Sequence, residues 1–410
     1  MNKKQFKSYI EITLINSGKQ LIVNLHKIPL LLLFCILFSN CTEPYALQTN
    51  TYEEVLVVEA TITNEFKNQE VILSVTSPLE VKEQIFVTGA EVIVSDNQGN
   101  KYNFEENGGK YISKNAFQAY PDREYKLTIN TKNGKSYEST TETLSPVNAL
   151  KDVTATVETK DSVTGVAIHV DSYDPTGNAK YYRYEYEETY KIIAPKWVNQ
   201  KTIVLSEMTL GIVPNPPDTK VCYSSAKSTD ILLANTSILT EDKLHYLVRF
   251  ISDQNYIISH RYSILVHQYI ENLASYNYYA TLRKISGSGS ILSPIQPGFV
   301  DGNLKSIDNP DEKVIGYFDV ASVSSKRIYF NYKDLFPFQQ LPPYYTNCDE
   351  DIYPFCFGLP PCRGSALMQD VGFEKVSYQF LEGINYHMVL APCGDCTSFS
   401  SNIKPPFWID

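Results

Sequence analysis

Basic charge is scarce in this 410-residue chain, with 36 Lys and Arg against 46 Asp and Glu and a net charge of −10. Five of the basic residues but one acid, Glu11, precede Cys41, so the remainder stands at 31 against 45, a net −14. A balance of that sign argues against nucleic acid or anionic lipid as the main partner. No apolar run approaches the roughly 20 residues that a membrane-spanning helix takes. Catalytic signatures are missing as well. His169, His245, His260, His267 and His387 are scattered, none in His-Glu-x-x-His spacing, and isolated histidines on alternating strands are structural far more often than catalytic. There is no Gly-x-Ser-x-Gly elbow. Gly287-Ser288-Gly289 has neither a leading strand nor a following Lys-Ser or Lys-Thr, so it makes a poor phosphate loop. A carboxylate pair for glycoside cleavage would show only as a separation in space. No catalytic residue, metal ligand or cofactor is assigned.

What is present starts with Lys27, the apolar stretch Ile28–Phe38, then Ser39-Asn40-Cys41-Thr42-Glu43-Pro44. That layout is a bacterial lipoprotein signal, in which Cys41 becomes the lipidated first residue. Asn40 departs from the small residue usual before such a cysteine. Residues 1–26 exceed an ordinary basic leader, so the true start is expected downstream of Met1. Residues 1–40 are therefore read as signal peptide and 41–52, polar and without periodicity, as a tether. Setting Cys35 and Cys41 aside leaves Cys222, Cys348, Cys356, Cys362, Cys393 and Cys396. An even number in an exported chain points to disulfides, with connectivity open. Cys393-Gly394-Asp395-Cys396 fits a disulfide cluster, a zinc half-site completed by other cysteines, or a redox pair; the disulfide reading leads, because Pro392 precedes it and a loop follows.

Strand signals dominate from Val55 onward. Val55–Thr63, Val71–Thr76, Ala90–Ser95, Lys101–Phe104, Lys110–Ile112, Glu124–Thr131 and Lys135–Thr143 are short, β-branched or alternating runs punctuated by turn residues. Asn133-Gly134 between two alternating runs is a strong hairpin signal. About seven short strands without a helical period make residues 53–147 an immunoglobulin-like β-sandwich. Residues 148–410 read as a larger β-rich domain. In it, Tyr182, Tyr184 and Tyr186 share one face of a strand and Arg183, Glu185 and Glu187 the other, predicting one packed and one wet face. A stacking surface for carbohydrate or peptide is the less common use of such a tyrosine stripe. Residues 244–269 alternate again. Ile270, Leu273, Ala274, Tyr278, Leu282 and Ile285 then fall on one helical face, placing the main helix near 270–285. The acidic loop Asp308, Asp311, Glu312 lacks the ligand spacing of an EF-hand and reads as solvated. Residues 335–410 are proline- and cysteine-rich and turn-dominated, a segment that disulfides hold where a core cannot.

Gly89–Val94, Gly99–Tyr102, Gly109–Tyr111 and Tyr125–Ile129 resemble carboxypeptidase-regulatory or prealbumin-like modules, immunoglobulin-type sandwiches without catalysis of their own. Cys41–Pro44, Val57–Asn64, Asn309–Glu312 and the ending Cys393–Cys396 with Lys404–Trp408 resemble, over 41–410, a group of Bacteroidota outer-membrane lipoproteins catalogued as a domain of unknown function. That resemblance implies a place in the outer membrane, a lipid anchor and work beside a TonB-dependent receptor. It carries no catalytic residues. The expectation is a non-catalytic accessory or ligand-capture subunit of such a transporter. The alternatives are a structural subunit of an envelope-assembly or surface-export complex, or an enzyme degrading polysaccharide or peptide.

Overall fold

The computed structural model describes residues 54–410, apart from 79, 80, 82 and 288–299. Cys41, the signal peptide and the tether lie outside the described residues. The described chain is mainly β, with an N-terminal sandwich followed by further sheets and one helix of appreciable length.

The sandwich strands are β1 (Leu56–Thr63), β2 (Glu70–Val75), β3 (Ile85–Phe86), β4 (Glu91–Asp96), β5 (Lys101–Asn107), β6 (Lys110–Ser113), β7 (Glu124–Asn130), β8 (Ser136–Ser139) and β9 (Glu142–Thr143). Alternation places them: Tyr125, Leu127 and Ile129 of β7 are fully buried, while the residues between them are not. Asn133-Gly134 turns β7 into β8, with Gly134 at φ +87°, a conformation glycine adopts without strain.

The next strands are β10 (Leu150–Lys160), β11 (Val163–Asp174), β12 (Tyr181–Ile193), β13 (Gln200–Ser206), β14 (Thr209–Pro214), β15 (Val221–Lys227), β16 (Leu232–Asn235), β17 (Asp242–Ser252) and β18 (Arg261–Glu271). Helix α1 (Leu273–Gly287), β19 (Leu304–Ser306) and β20 (Val314–Asn331) follow. The alternating run 244–269 is thus two strands, parted by a turn of 3-10 helix at Tyr256–Ile258. Helix α1 begins later than its apolar period suggests, because Ile270 and Glu271 complete β18. Asn272 then caps it, its Oδ1 accepting from Ser275 N at 2.8 Å. Leu273 is left exposed, and Tyr278 supplies the buried contact.

The longest sheet runs β15–β12–β18–β20–β1–β2–β6–β5–β4–β7–β8–β19. Strand β20 links its halves. Val314–Ala321 pairs parallel with β1, and Ser322–Asn331 pairs antiparallel with β18. Its first half contributes Val314, Phe318 and Val320 to the sandwich core. The Asn303 amide seals β19 against β20, donating to Phe318 O at 2.9 Å and accepting from Phe318 N at 2.7 Å. The second core lies between the β10–β11–β17 sheet and the tyrosine face of β12, where Tyr182 and Tyr184 are fully buried.

Backbones touch where β20 enters. A Cβ on Gly302 would stand 1.6 Å from Gly316 O, and one on Gly316, at φ +144°, would stand 2.2 Å from Val58 O. Gly302→Ala is therefore expected to cost about 1–3 kcal/mol through forced strand displacement. Urea unfolding measures it, and an unchanged midpoint would show that the strands part freely.

The C-terminal segment holds more regular structure than its composition suggests. After the short α2 (Tyr332–Leu335) come β21 (Asp351–Pro354), α3 (Gly364–Gly372), β22 (Val376–Glu382), β23 (Asn385–Leu390) and α4 (Ala391–Gly394). The sheet β21–β23–β22 has a small core of its own in Tyr353, Leu367, Val371, Tyr378, Tyr386 and Met388. Strands of four to seven residues are too short to show a period among prolines and cysteines. Disulfides add to this core: Cys222–Cys396, Cys348–Cys393 and Cys356–Cys362.

Candidate functional site: a groove over strands β12 and β18

Alternation along β12 sets the site. With Tyr182 and Tyr184 turned into the core, Arg183, Glu185 and Glu187 must face the other way. Glu185 pairs across the ladder with His267, and Arg183 with Tyr269. These residues, with Lys227 of β15, form the floor of a groove of about 700 Å³. Its walls are Glu59 and Thr61 of β1, Glu70 of β2, and Tyr278, Tyr279 and Leu282 of α1. The expected wet face of β12 is thus a groove, closed at its head. Arg183 is only 6 % exposed, with its guanidinium between two rings, 4.2 Å from the Tyr269 centroid and 4.6 Å from that of Tyr279.

A buried cation needs compensation. Arg183 Nε donates to Glu271 Oε1 at 2.6 Å, and Nη1 bonds Glu185. Ser275 Oγ donates to Glu271 Oε2 at 2.5 Å. Asp319 of β20, 1 % exposed, completes the cluster through a hydrogen bond to Glu271. Burial, then the Glu271 charge, pushes the Asp319 carboxyl well above the usual carboxylate range. Burial works against the Glu271 charge too, but Arg183 and the hydrogen bonds from Asp319 and Ser275 outweigh it and hold Glu271 below that range. The opposite directions favour the pair's proton on Asp319 over Glu271. Arg183 Nη2 is buried and has no hydrogen-bond partner. Burial also keeps the Tyr269 and Tyr279 phenols protonated and His267 neutral, pushing the phenols up and the imidazole down.

The charged face of β12 read in sequence thus lines the groove, whereas of the histidines, the cysteines and the acidic loop only His267 does. His169 and His245 stack at 4.3 Å on β11 and β17, and His245 Nδ1 lies 2.8 Å from Asp171. His387 stacks on Phe380 at 3.9 Å. His260 lines a separate pocket of about 260 Å³ beside Tyr256 and Tyr344. The acidic loop is not simply solvated. Glu312 accepts from Lys135 Nζ at 2.7 Å and Tyr137 OH at 2.8 Å, and Asp308 accepts from Ser136 N at 2.8 Å, fastening the loop to β8. Cys393 and Cys396 bond Cys348 and Cys222 rather than each other, so they form neither a redox pair nor a zinc half-site. Among the described residues no three of His, Cys, Asp and Glu gather as metal ligands. The cluster of Arg183, Glu271 and Asp319 carries no motif. Its single trace in sequence is an arginine inside a tyrosine stripe.

The molecule is therefore of the mainly β, disulfide-stapled class, with a groove over the two halves of the long sheet that β20 links. Residues 42–327 match the family described as Domain of unknown function (DUF4249), and the chain belongs to it. The match covers the sandwich and the groove floor and ends within β20, short of the C-terminal segment that the sequence resemblance over 41–410 took in. No curated protein matches the chain.

Proposed function

We propose that the protein is a lipid-anchored outer-membrane subunit that captures a ligand in the β12–β18 groove and serves a TonB-dependent transporter without chemistry of its own. The groove carries the reading: a volume of about 700 Å³ lies within the range of ligand pockets. Two acids of its floor are occupied, Glu185 by Arg183 and Glu187 by Lys227 at 2.8 Å, which suits them to holding rather than to proton transfer. The three disulfides support an exported protein. The anchor would be Cys41, and the membrane contact its lipid.

Pull-down of the tagged protein from detergent-solubilised outer membranes is expected to recover a TonB-dependent receptor. Recovery of assembly or export factors in its place, replicate after replicate, sinks this reading in favour of a structural subunit. Cys41→Ser is expected to move the protein from the membrane to the soluble fraction, and membrane retention without a lipid mass on the wild type overturns the anchor.

A further inference from the structure

Resting on the capture reading, we propose that the groove takes a ligand carrying alkylammonium groups, with Glu59 and Asp230 as the anionic contacts that hold it. The balance of charge in the lining leads there. Each base already has its acid. Lys227 meets Glu187 at 2.8 Å, Lys67 meets Glu65 at 2.7 Å, and the buried Arg183 is shared by Glu185 and Glu271. Glu70 is matched from outside the groove by Lys110 at 2.8 Å. Glu59 and Asp230 remain. Both are exposed, and among the described residues neither meets a cation; Glu59 has the Gln84 amide at 3.5 Å.

A ligand that fills a cavity of about 700 Å³ takes water away from both carboxylates. Covering a carboxylate without an opposite charge is costly. A neutral ligand leaves that cost standing and an anion adds repulsion, whereas an ammonium group offsets it. The two acids also stand apart. Glu59 is on β1 and Asp230 in the turn between β15 and β16, with β12, β18 and β20 between them in the sheet. A chain bearing two or more ammonium groups can meet both.

The α1 wall suits the same ligand. Tyr278 and Tyr279 line it, and the face of a tyrosine ring attracts an ammonium group. Burial, and after it the Glu59 charge, pushes the Tyr278 phenol up to about 12, so the carboxylate and the ring lie within electrostatic reach of each other. One ammonium group set between them answers to both. A free polyamine and the lysine side chains of a peptide each present such groups.

The test uses the full chain in detergent micelles and isothermal titration with spermidine, with N-acetyl-trilysine amide and with N-acetyl-triglutamate amide. At least one of the two ammonium ligands is expected to bind, more weakly as salt is raised, and triglutamate is not. Spermidine alone would mark a free polyamine as the ligand, and trilysine alone a peptide. Glu59→Gln and Asp230→Asn are each expected to weaken binding about two- to fivefold, the worth of an exposed ion pair, while circular dichroism and melting stay those of wild type. Asp122→Asn, an exposed acid outside the groove, is expected to change nothing. Binding of neither ammonium ligand, binding of triglutamate, equal binding by the folded Glu59 and Asp230 variants, or an equal loss from Asp122→Asn overturns the proposal. Receptor recovery with no ammonium ligand bound would fault this inference and leave the transporter reading standing. A bound ammonium ligand with no receptor recovered would do the reverse.

Discussion

Glu271→Ala is expected to destabilise the protein by about 3–5 kcal/mol, the cost of leaving a buried charge without its partner. Arg183 would keep only Glu185, which is half-exposed and lies at the groove. Asp319 would lose the carboxylate it bonds, Ser275 its acceptor, and α1 a contact at its first turn. Chemical denaturation measures the loss, and a change under 1 kcal/mol would mean that water reaches the site. Asp319→Asn should behave differently. The folded state keeps a proton on Asp319 that the unfolded chain releases near the ordinary carboxylate pKa of about 4. Stability tied to that proton is complete below the unfolded value and is lost as pH rises toward the raised folded one. Asparagine cannot ionise, so the variant should match wild type near pH 4 and exceed it at pH 8. Glu271 gives the opposite slope in acid, where its depressed carboxyl must be protonated. A wild-type stability that keeps rising from pH 5 to 8 would contradict the shared proton.

Breaking Cys222–Cys396 is the second large effect. This bond closes a separation of 174 residues and joins β15 to the C-terminal segment, whereas Cys356–Cys362 closes only six. Cys222→Ser with Cys396→Ser is expected to cost about 2–5 kcal/mol, and the short clip less, because a shorter loop constrains the unfolded chain less. Thermal melts of the variants, and of wild type in reductant, read this out. Equal losses from the two bonds would show that native contacts, and not loop closure, set their worth.

How far the sequence spoke depended on period. Where alternation was uninterrupted, as in Glu124–Asn130, it named the buried residues Tyr125, Leu127 and Ile129 outright. The stripe of Tyr182, Tyr184 and Tyr186 likewise pointed to the core. Alternation could not tell what lies over the opposite face, and so the burial of Arg183 under α1 stayed hidden. Partners distant in sequence were beyond reach for the same reason. Arg183, Glu271 and Asp319 come from three strands, and only the register that sets β18 beside both β12 and β20 brings them together. The acidic loop offered carboxylates without ligand spacing, and which base they would meet depended on β19 pairing with β8. Membership of a domain family of unknown function was legible from local residues, and the match spans less of the chain than the resemblance did.

The shared strand also determines how the protein bears force. A pull on the chain at residue 54, directed along β1, acts parallel to both ladders that hold it, from Leu56↔Val314 to Thr63↔Ala321 on one side and against β2 on the other. Bonds stressed in shear resist together, where a hairpin pulled at its open end would unzip pair by pair. A tug from that end would therefore travel through β20 into the sheet beneath the groove before the sandwich gave way.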